Sequence, residues 1–202
     1  MGNDGLLNET FVDLLRHGEV QGGSYYRGVT DDALTKRGWE QMQQRVNGFD
    51  DWELIISSPL QRCLNFATEL SQQRQLPLMI DAGFQEINFG DWEGKMAAEI
   101  EAESLMRFYQ DPINNPPPNG EAMQAFQQRI QQSWQKILDL HQGKRILVIT
   151  HAGVIRYLFS LLLKIPTENS FAVQISHASL TRFQCFHAEP NFIQLNFHHN
   201  HF

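Results

Sequence analysis

Cysteine is scarce, bases are outnumbered, and no apolar run is long enough for a bilayer. Cys63 and Cys185 are the two cysteines in 202 residues. Neither has a neighbour at a metal-ligating or redox spacing. A lone disulfide is the alternative, but so few cysteines point to a reducing cytoplasm. The opening MGNDGLLNET has no basic segment and no long apolar stretch, so it does not read as a signal peptide. The longest apolar run, Tyr157 to Leu163, falls far short of the ~20 residues of a spanning helix. Against 23 acids stand 16 bases, a net charge of −7. That excludes broad contact with nucleic acid or an anionic membrane, since both need a basic face. It leaves room for a small anionic substrate, because one pocket can be basic on an acidic molecule. G-x-S-x-G, G-x-x-x-x-G-K-[ST] and G-x-G-x-x-G are all missing.

What is present is an alternation of strand and helix. Hydrophobic residues make up 42% and charged residues 19%, an ordinary globular balance. The length suits one domain with a decorated edge. Strands are expected at 11–15, 54–57, 76–80 and 146–150, with two or three more between 171 and 197. A helix over 36–47 carries Trp39, Met42 and Val46 at helical spacing behind Thr35 as N-cap. Ser58-Pro59 reads as the cap and first turn of the next helix, which buries Leu60, Cys63, Leu64, Ala67 and Leu70. Residues 95–109 have a broken helical pattern. DPINNPPPNG (111–120) cannot continue a helix and reads as a surface loop, either a lid or hinge or a plain connector. Residues 121–141 form the longest helix, with Met123, Phe126, Ile130, Trp134, Ile137 and Leu138 on one stripe; a further helix covers 154–163. No internal repeat is present. Alternating elements with continuous apolar strands imply an α/β fold: a three-layer α/β/α sandwich, mostly parallel, with an antiparallel edge strand.

In such sheets ligands bind beyond the carboxyl ends of the strands. Strand 11–15 runs into Arg16-His17-Gly18-Glu19, strand 54–57 into SSPLQR (57–62), and strand 146–150 into His151-Ala152-Gly153. Strand 76–80 leads by a short loop to Glu86. Each residue alone could be an ordinary loop residue. Together they offer planar permanent cations for phosphate, an imidazole nucleophile, and a carboxyl to protonate a leaving oxygen. Helix N-termini after Ser58 and His151 add amide donors.

LLRHGE (14–19), SSPLQRC (57–63), GFQEINFGDWEG (83–94) and THAGVIR (150–156) occur in that order. The chain resembles the histidine phosphatase superfamily, the phosphoglycerate-mutase-like group, over nearly its whole length. The resemblance implies His17 as nucleophile and Glu86 as proton donor and then base. Arg16, Arg62 and His151 would hold the phosphate. It implies no cofactor and no divalent metal, and a single domain with a lid or insert around 87–120. Members often carry an asparagine in the loop after RHGE. Here VQGGSYYRGVT (20–30) has Gly22-Gly23 near that place, and Ser24 or backbone amides are the candidate substitutes.

SSPLQRC with FGDWEG is most similar to the α-ribazole phosphatase branch. That implies removal of the 5′-phosphate of α-ribazole phosphate in cobalamin synthesis. A lid carrying Tyr25, Tyr26, Trp92, Phe108 and Tyr109 would suit the flat benzimidazole, although ordinary lid packing explains them too. Rival readings are a broad-specificity or sugar-phosphate phosphatase, a mutase, and an inactive phosphate-binding module. His198, His199 and His201 raise a metal site, for which surface histidines are the simpler reading. Glu121 is placed at a helix start or the pocket mouth, and Glu19 as a loop-orienting or arginine-pairing residue. The expected assembly is a monomer or homodimer.

Overall fold

The alternation of buried residues along the strands divides the molecule into layers. A computed structural model describes residues 9–187 and 192–200. Six strands form one sheet: β1 (Glu9–Arg16), β2 (Leu54–Ser57), β3 (Leu78–Ile80), β4 (Arg145–Thr150), β5 (Leu180–Phe186) and β6 (Phe192–His199), in the order β3-β2-β4-β1-β5-β6. The helices are α1 (Lys36–Val46), α2 (Gln61–Arg74), α3 (Ala102–Gln110), α4 (Met123–Leu140) and α5 (Ala152–Leu163). Val12, Leu14, Leu54, Ile56, Ile146 and Val148 face a core shared with α4 and α5. Leu15, Ile55, Leu147 and Ile149 face the other way, onto Met42 and Val46 of α1 and Cys63, Phe66 and Leu70 of α2. Side chains alternate at period 2, so a strand covered on both faces must be apolar throughout. The result is the expected three-layer α/β/α arrangement.

β1, β4, β2 and β3 run parallel, so their carboxyl ends share one edge. β5 lies antiparallel to β1, and β6 antiparallel to β5. The start of β5 therefore arrives at that same edge, with Leu180 opposite Leu15.

Several boundaries differ from the sequence expectation. α1 matches, with Thr35 Oγ1 accepting from the Gly38 N–H at 2.9 Å. Ser58-Pro59 does not start α2. The helix begins at Gln61, whose N–H donates to Asp31 Oδ1 at 2.7 Å, so its cap comes from a distant loop. Leu64 is only half-buried, while Phe66 takes the core position. β3 starts at Leu78 instead of Leu76. Residues 167–172 form a 3-10 helix, and of the strands expected between 171 and 197 two form. Both cysteines are free and buried. No described helix is long and apolar enough to cross a membrane.

One charge lies within the sheet. Asp13 is 1% exposed. Burial pushes its carboxyl up against the opposing pull of Arg182 and Trp52. Arg182 donates to both carboxylate oxygens at 2.8 and 2.7 Å, and Trp52 Nε1 donates at 2.7 Å. Removing Asp13 leaves Trp52 Nε1 without its acceptor and Arg182 with only the exposed Asp51, 3.5 Å away, as a counter-charge. Asp13→Ala is therefore expected to cost about 3–5 kcal/mol, read as a lower urea midpoint at unchanged slope. A loss under 1 kcal/mol would show the triad to be dispensable.

Candidate active site

The edge where the parallel strands end collects the residues singled out by the sequence. β1 delivers Arg16 and His17, the segment after β3 delivers Glu86, and β4 delivers His151. Close backbone packing fixes the Arg16–Glu19 turn. A Cβ on Gly18 would lie 2.0 Å from the Gly38 carbonyl, and one on Gly38 would lie 1.9 Å from that of Glu19. Neither position admits a side chain. Glu19 Oε1 accepts from Thr35 Oγ1 at 3.1 Å, and its carboxylate lies 3.7 Å from Arg37, so it orients this turn.

His17 is 6% exposed, and its Nδ1 lies 2.8 Å from the Gly18 carbonyl. A carbonyl only accepts, so the neutral ring carries its proton on Nδ1 and leaves the Nε2 lone pair free. Burial first, then Arg16, His151 and Arg62, hold this imidazole well below its usual range. It is neutral at pH 7, as a nucleophile must be. Arg16 donates to the Ile175 carbonyl at 2.7 Å. Its Nε is buried without a partner among the described residues. Burial lowers its guanidinium to about 10, which leaves it charged at neutral pH. An orphaned cationic donor beside a neutral imidazole suits an anion that brings its own oxygens.

Arg62 and His151 lie beneath this layer, both fully buried. Arg62 Nε donates to His151 Nδ1 at 3.3 Å, and its two terminal nitrogens donate to the Thr30 and Gly28 carbonyls, each at 2.7 Å. With Nδ1 accepting, His151 donates from Nε2 to Ser58 Oγ at 2.7 Å. Burial, Arg62 and Arg16 hold His151 well below the ordinary imidazole range. The loop that receives Arg62 is set by Glu93. Its carboxylate accepts from the N–H groups of Gly28, Val29, Thr30 and Phe89 and from the Thr30 hydroxyl. Burial opposes ionisation of Glu93, but these donors outweigh it and its pKa falls.

Glu86 is 7% exposed. Its Oε2 accepts from the Gly153 N–H at 3.0 Å, at the amino end of α5, and Oε1 from its neighbour Ile87 at 3.1 Å. A Cβ at position 153 would sit 2.3 Å from Oε1, so glycine there makes room for the carboxylate. Arg129 holds the Glu86 segment by donating to the carbonyls of Gly83, Gln85 and Glu86 at 3.0, 2.6 and 3.1 Å. Glu121 pairs with Arg129 at 2.7 Å, which gives it a bracing role at one remove from the cavity.

A cavity of about 490 Å³ opens over these groups, lined by Arg16, His17 and Glu86 and walled by aromatics. Tyr26 and Tyr109 meet across its mouth, hydroxyl to hydroxyl at 2.8 Å. Phe108 and Phe171 pack edge-on against Tyr109. Trp92 is buried behind Tyr26 and Phe108 and does not line the space. Ser24 does not line it either. It is exposed, on an adjoining cleft, because the tight Gly22-Gly23 turn carries it outward. Arg27 occupies the cavity wall instead, stacked 3.9 Å over Tyr25 and paired with Asp32 at 2.6 Å. Sequence reasoning also missed Arg156 and His177. The signal for His177 was the antiparallel sense of β5, which brings the residues before it to the catalytic edge.

Among the described residues no group of three or more His, Cys, Asp or Glu could hold a metal ion. His198 bonds to Thr181 at 2.7 Å, His199 stacks on Phe197, and His201 lies outside the described residues.

The model of the histidine phosphatase superfamily (branch 1) matches residues 12–198. The adenosylcobalamin/α-ribazole phosphatase of Escherichia coli K12 is 33% identical over 163 residues, 77% of this chain and 80% of its own. The solved α-ribazole phosphatase of Shigella flexneri superposes with a TM-score of 0.80 at 29% identity, covering 94% of this chain and 96% of that one. A mycobacterial glucosyl-3-phosphoglycerate phosphatase shares the fold, with a TM-score of 0.82 at 24% identity over 93% of this chain and 97% of its own.

Two outcomes follow from the geometry. Gly153→Ala is expected to displace the Glu86 carboxylate and lower kcat roughly 100-fold, in the range of a lost acid–base group. Unchanged kcat in a folded variant would refute that packing constraint. The depressed folded pKa values of His17 and His151 also set a pH dependence. The unfolded chain binds protons below about pH 6.5 and the folded chain does not, so stability is present above that pH and is lost as pH falls toward the folded values. Each ring contributes up to about 1.4 kcal/mol per pH unit there. Nitrogen-15 spectra at pH 6 should show both rings neutral, with His17 protonated on Nδ1; a charged His17 would refute the assignment.

Proposed function

The chain belongs to the histidine phosphatase superfamily, and on that premise we propose that it hydrolyses a phosphomonoester through a phosphohistidine at His17, with α-ribazole 5′-phosphate of cobalamin synthesis as substrate. One observation carries the chemistry: a buried neutral imidazole with a free Nε2 lines one cavity together with Arg16, whose Nε is unpartnered, and Glu86. His17 Nε2 attacks phosphorus as the bond to the ester oxygen breaks. Glu86 gives its proton to that oxygen. The resulting Glu86 carboxylate then takes a proton from the water that attacks the phosphohistidine. Inorganic phosphate leaves and the imidazole lone pair is restored. Arg16 holds the phosphoryl oxygens from the cavity side. Arg62 supplies positive potential from below, where low dielectric strengthens it, and the neutral His151 ring accepts from its Nε and so helps to fix it.

The substrate assignment rests on the aromatic walls, which suit a flat base, and on the activity named for the Escherichia coli relative. Residues 87–120 act as the lid, and the two free cysteines favour the cytoplasm. Arg156 favours a second reading. It lines the cavity, and among the described residues only its Nε is engaged, donating to the Val173 carbonyl at 3.2 Å, so an alcohol with another anionic group would also fit.

Trapping with labelled substrate should give an acid-labile, alkali-stable phosphoenzyme that maps to His17. His17→Ala is expected to abolish turnover, and Glu86→Gln to slow it at least 100-fold while phosphate still binds. Full activity in His17→Ala would end the mechanism. Across a panel of phosphomonoesters, kcat/KM should be highest for α-ribazole 5′-phosphate. A preference for sugar phosphates or phosphorylated carboxylates would move the substrate class. Phosphate exchange without release would indicate a mutase, and EDTA should leave turnover intact.

A further inference from the structure

The turn before β5 is fastened to the nucleophile more closely than a strand connection requires. Three hydrogen bonds tie it to the Arg16-His17 dipeptide. The Arg16 N–H donates to the Ser179 carbonyl at 3.0 Å, the Ala178 N–H donates to the His17 carbonyl at 3.2 Å, and Arg16 Nη1 donates to the Ile175 carbonyl at 2.7 Å. From the far side Arg45 Nε donates to the Ala178 carbonyl at 2.8 Å. Ala178 itself is fully buried in the left-handed region, at φ 52°. An L-residue with a Cβ avoids that region unless its surroundings hold it there, and such strain collects at functional sites.

The product of this strained turn is the placement of His177. Its ring centre lies 5.8 Å from that of His17, and it lines both the catalytic cavity and the adjoining cleft. No hydrogen bond to its ring occurs among the described residues. Phosphorus bonded to His17 would bring an oxygen within hydrogen-bond reach of such a neighbour, about 2.7–3.2 Å. We propose that His177 is a further catalytic residue, whose ring N–H donates to a non-bridging phosphoryl oxygen as the group moves onto and off His17.

The electrostatic setting suits that task. Burial first, then Arg16, Arg27 and Arg37, depress the imidazole to about 4. At neutral pH the ring keeps one N–H and adds no proton-transfer chemistry that would compete with Glu86. Phosphoryl oxygens only accept, so a fixed neutral donor and the Arg16 guanidinium complement one another on a single anion.

The role rests on the phosphohistidine reading, so wild type, His177→Ala and His177→Asn should be compared with p-nitrophenyl phosphate as substrate and orthovanadate as inhibitor. His177→Ala is expected to lose roughly 10- to 100-fold in kcat, with KM within about threefold. Vanadate inhibition should weaken in step, because vanadate adopts the five-coordinate shape. The amide N–H of His177→Asn should recover most of the loss, which a purely structural role would not predict. Two results would overturn the role: kcat of His177→Ala within twofold of wild type, or an Asn variant as damaged as the Ala variant. If the Ala variant does not fold, the Asn variant decides alone. A wild type that forms no phosphohistidine at His17 would instead remove the underlying reading.

Discussion

Arg62 carries a full positive charge at a site with no solvent exposure, and no carboxylate among the described residues touches it. An uncompensated buried ion is costly, and the surroundings tolerate it only because neutral acceptors meet its N–H groups. Two of those acceptors are carbonyls of one loop, and Glu93 holds that loop through its N–H groups. The nearby imidazoles stay neutral chiefly because they are buried, and the positive field of Arg16 and Arg62 adds to that. The same field that helps to keep His17 neutral would attract an anion to it. Recruitment and activation are one electrostatic arrangement, and both weaken if the guanidinium shifts.

Much of this was legible in the sequence where a residue acts near its own place in the chain. β2 was read at its true limits because three buried apolar residues, Leu54 to Ile56, lie between Glu53 and the polar Ser57-Ser58 pair. The stripe on α4 from Met123 to Ile137 followed from helical spacing. His17 and Glu86 stood out at strand ends, and the structure places both on one cavity. Residues that act across long separations were not legible. Asp31 caps α2 from 30 positions upstream, so Ser58 took its place in the reading. Glu93 reaches the 28–30 loop across more than 60 residues. Ser24 misled because hydroxyl chemistry was inferred without the Gly22-Gly23 turn that carries it outward.

The aromatic wall shows a similar limit. Tyr26 and Tyr109 were named as candidates, but their contact depends on α3 crossing over the first loop, which no local pattern encodes. Trp92 has the same composition signal and a different job, since it supports Tyr26 and Phe108 from behind. Sequence supplies the inventory of rings, and only packing assigns them to the surface or the support.

The sheet order has a temporal side. β1 leads into His17, yet both of its neighbours, β4 and β5, come from much later in the chain. During synthesis the first strand emerges long before either flank exists, and its apolar edges must wait. Such distant pairing slows folding. The segment LLRHGE can reach its folded setting only after β4 and β5, synthesised well over a hundred residues later, have paired with β1.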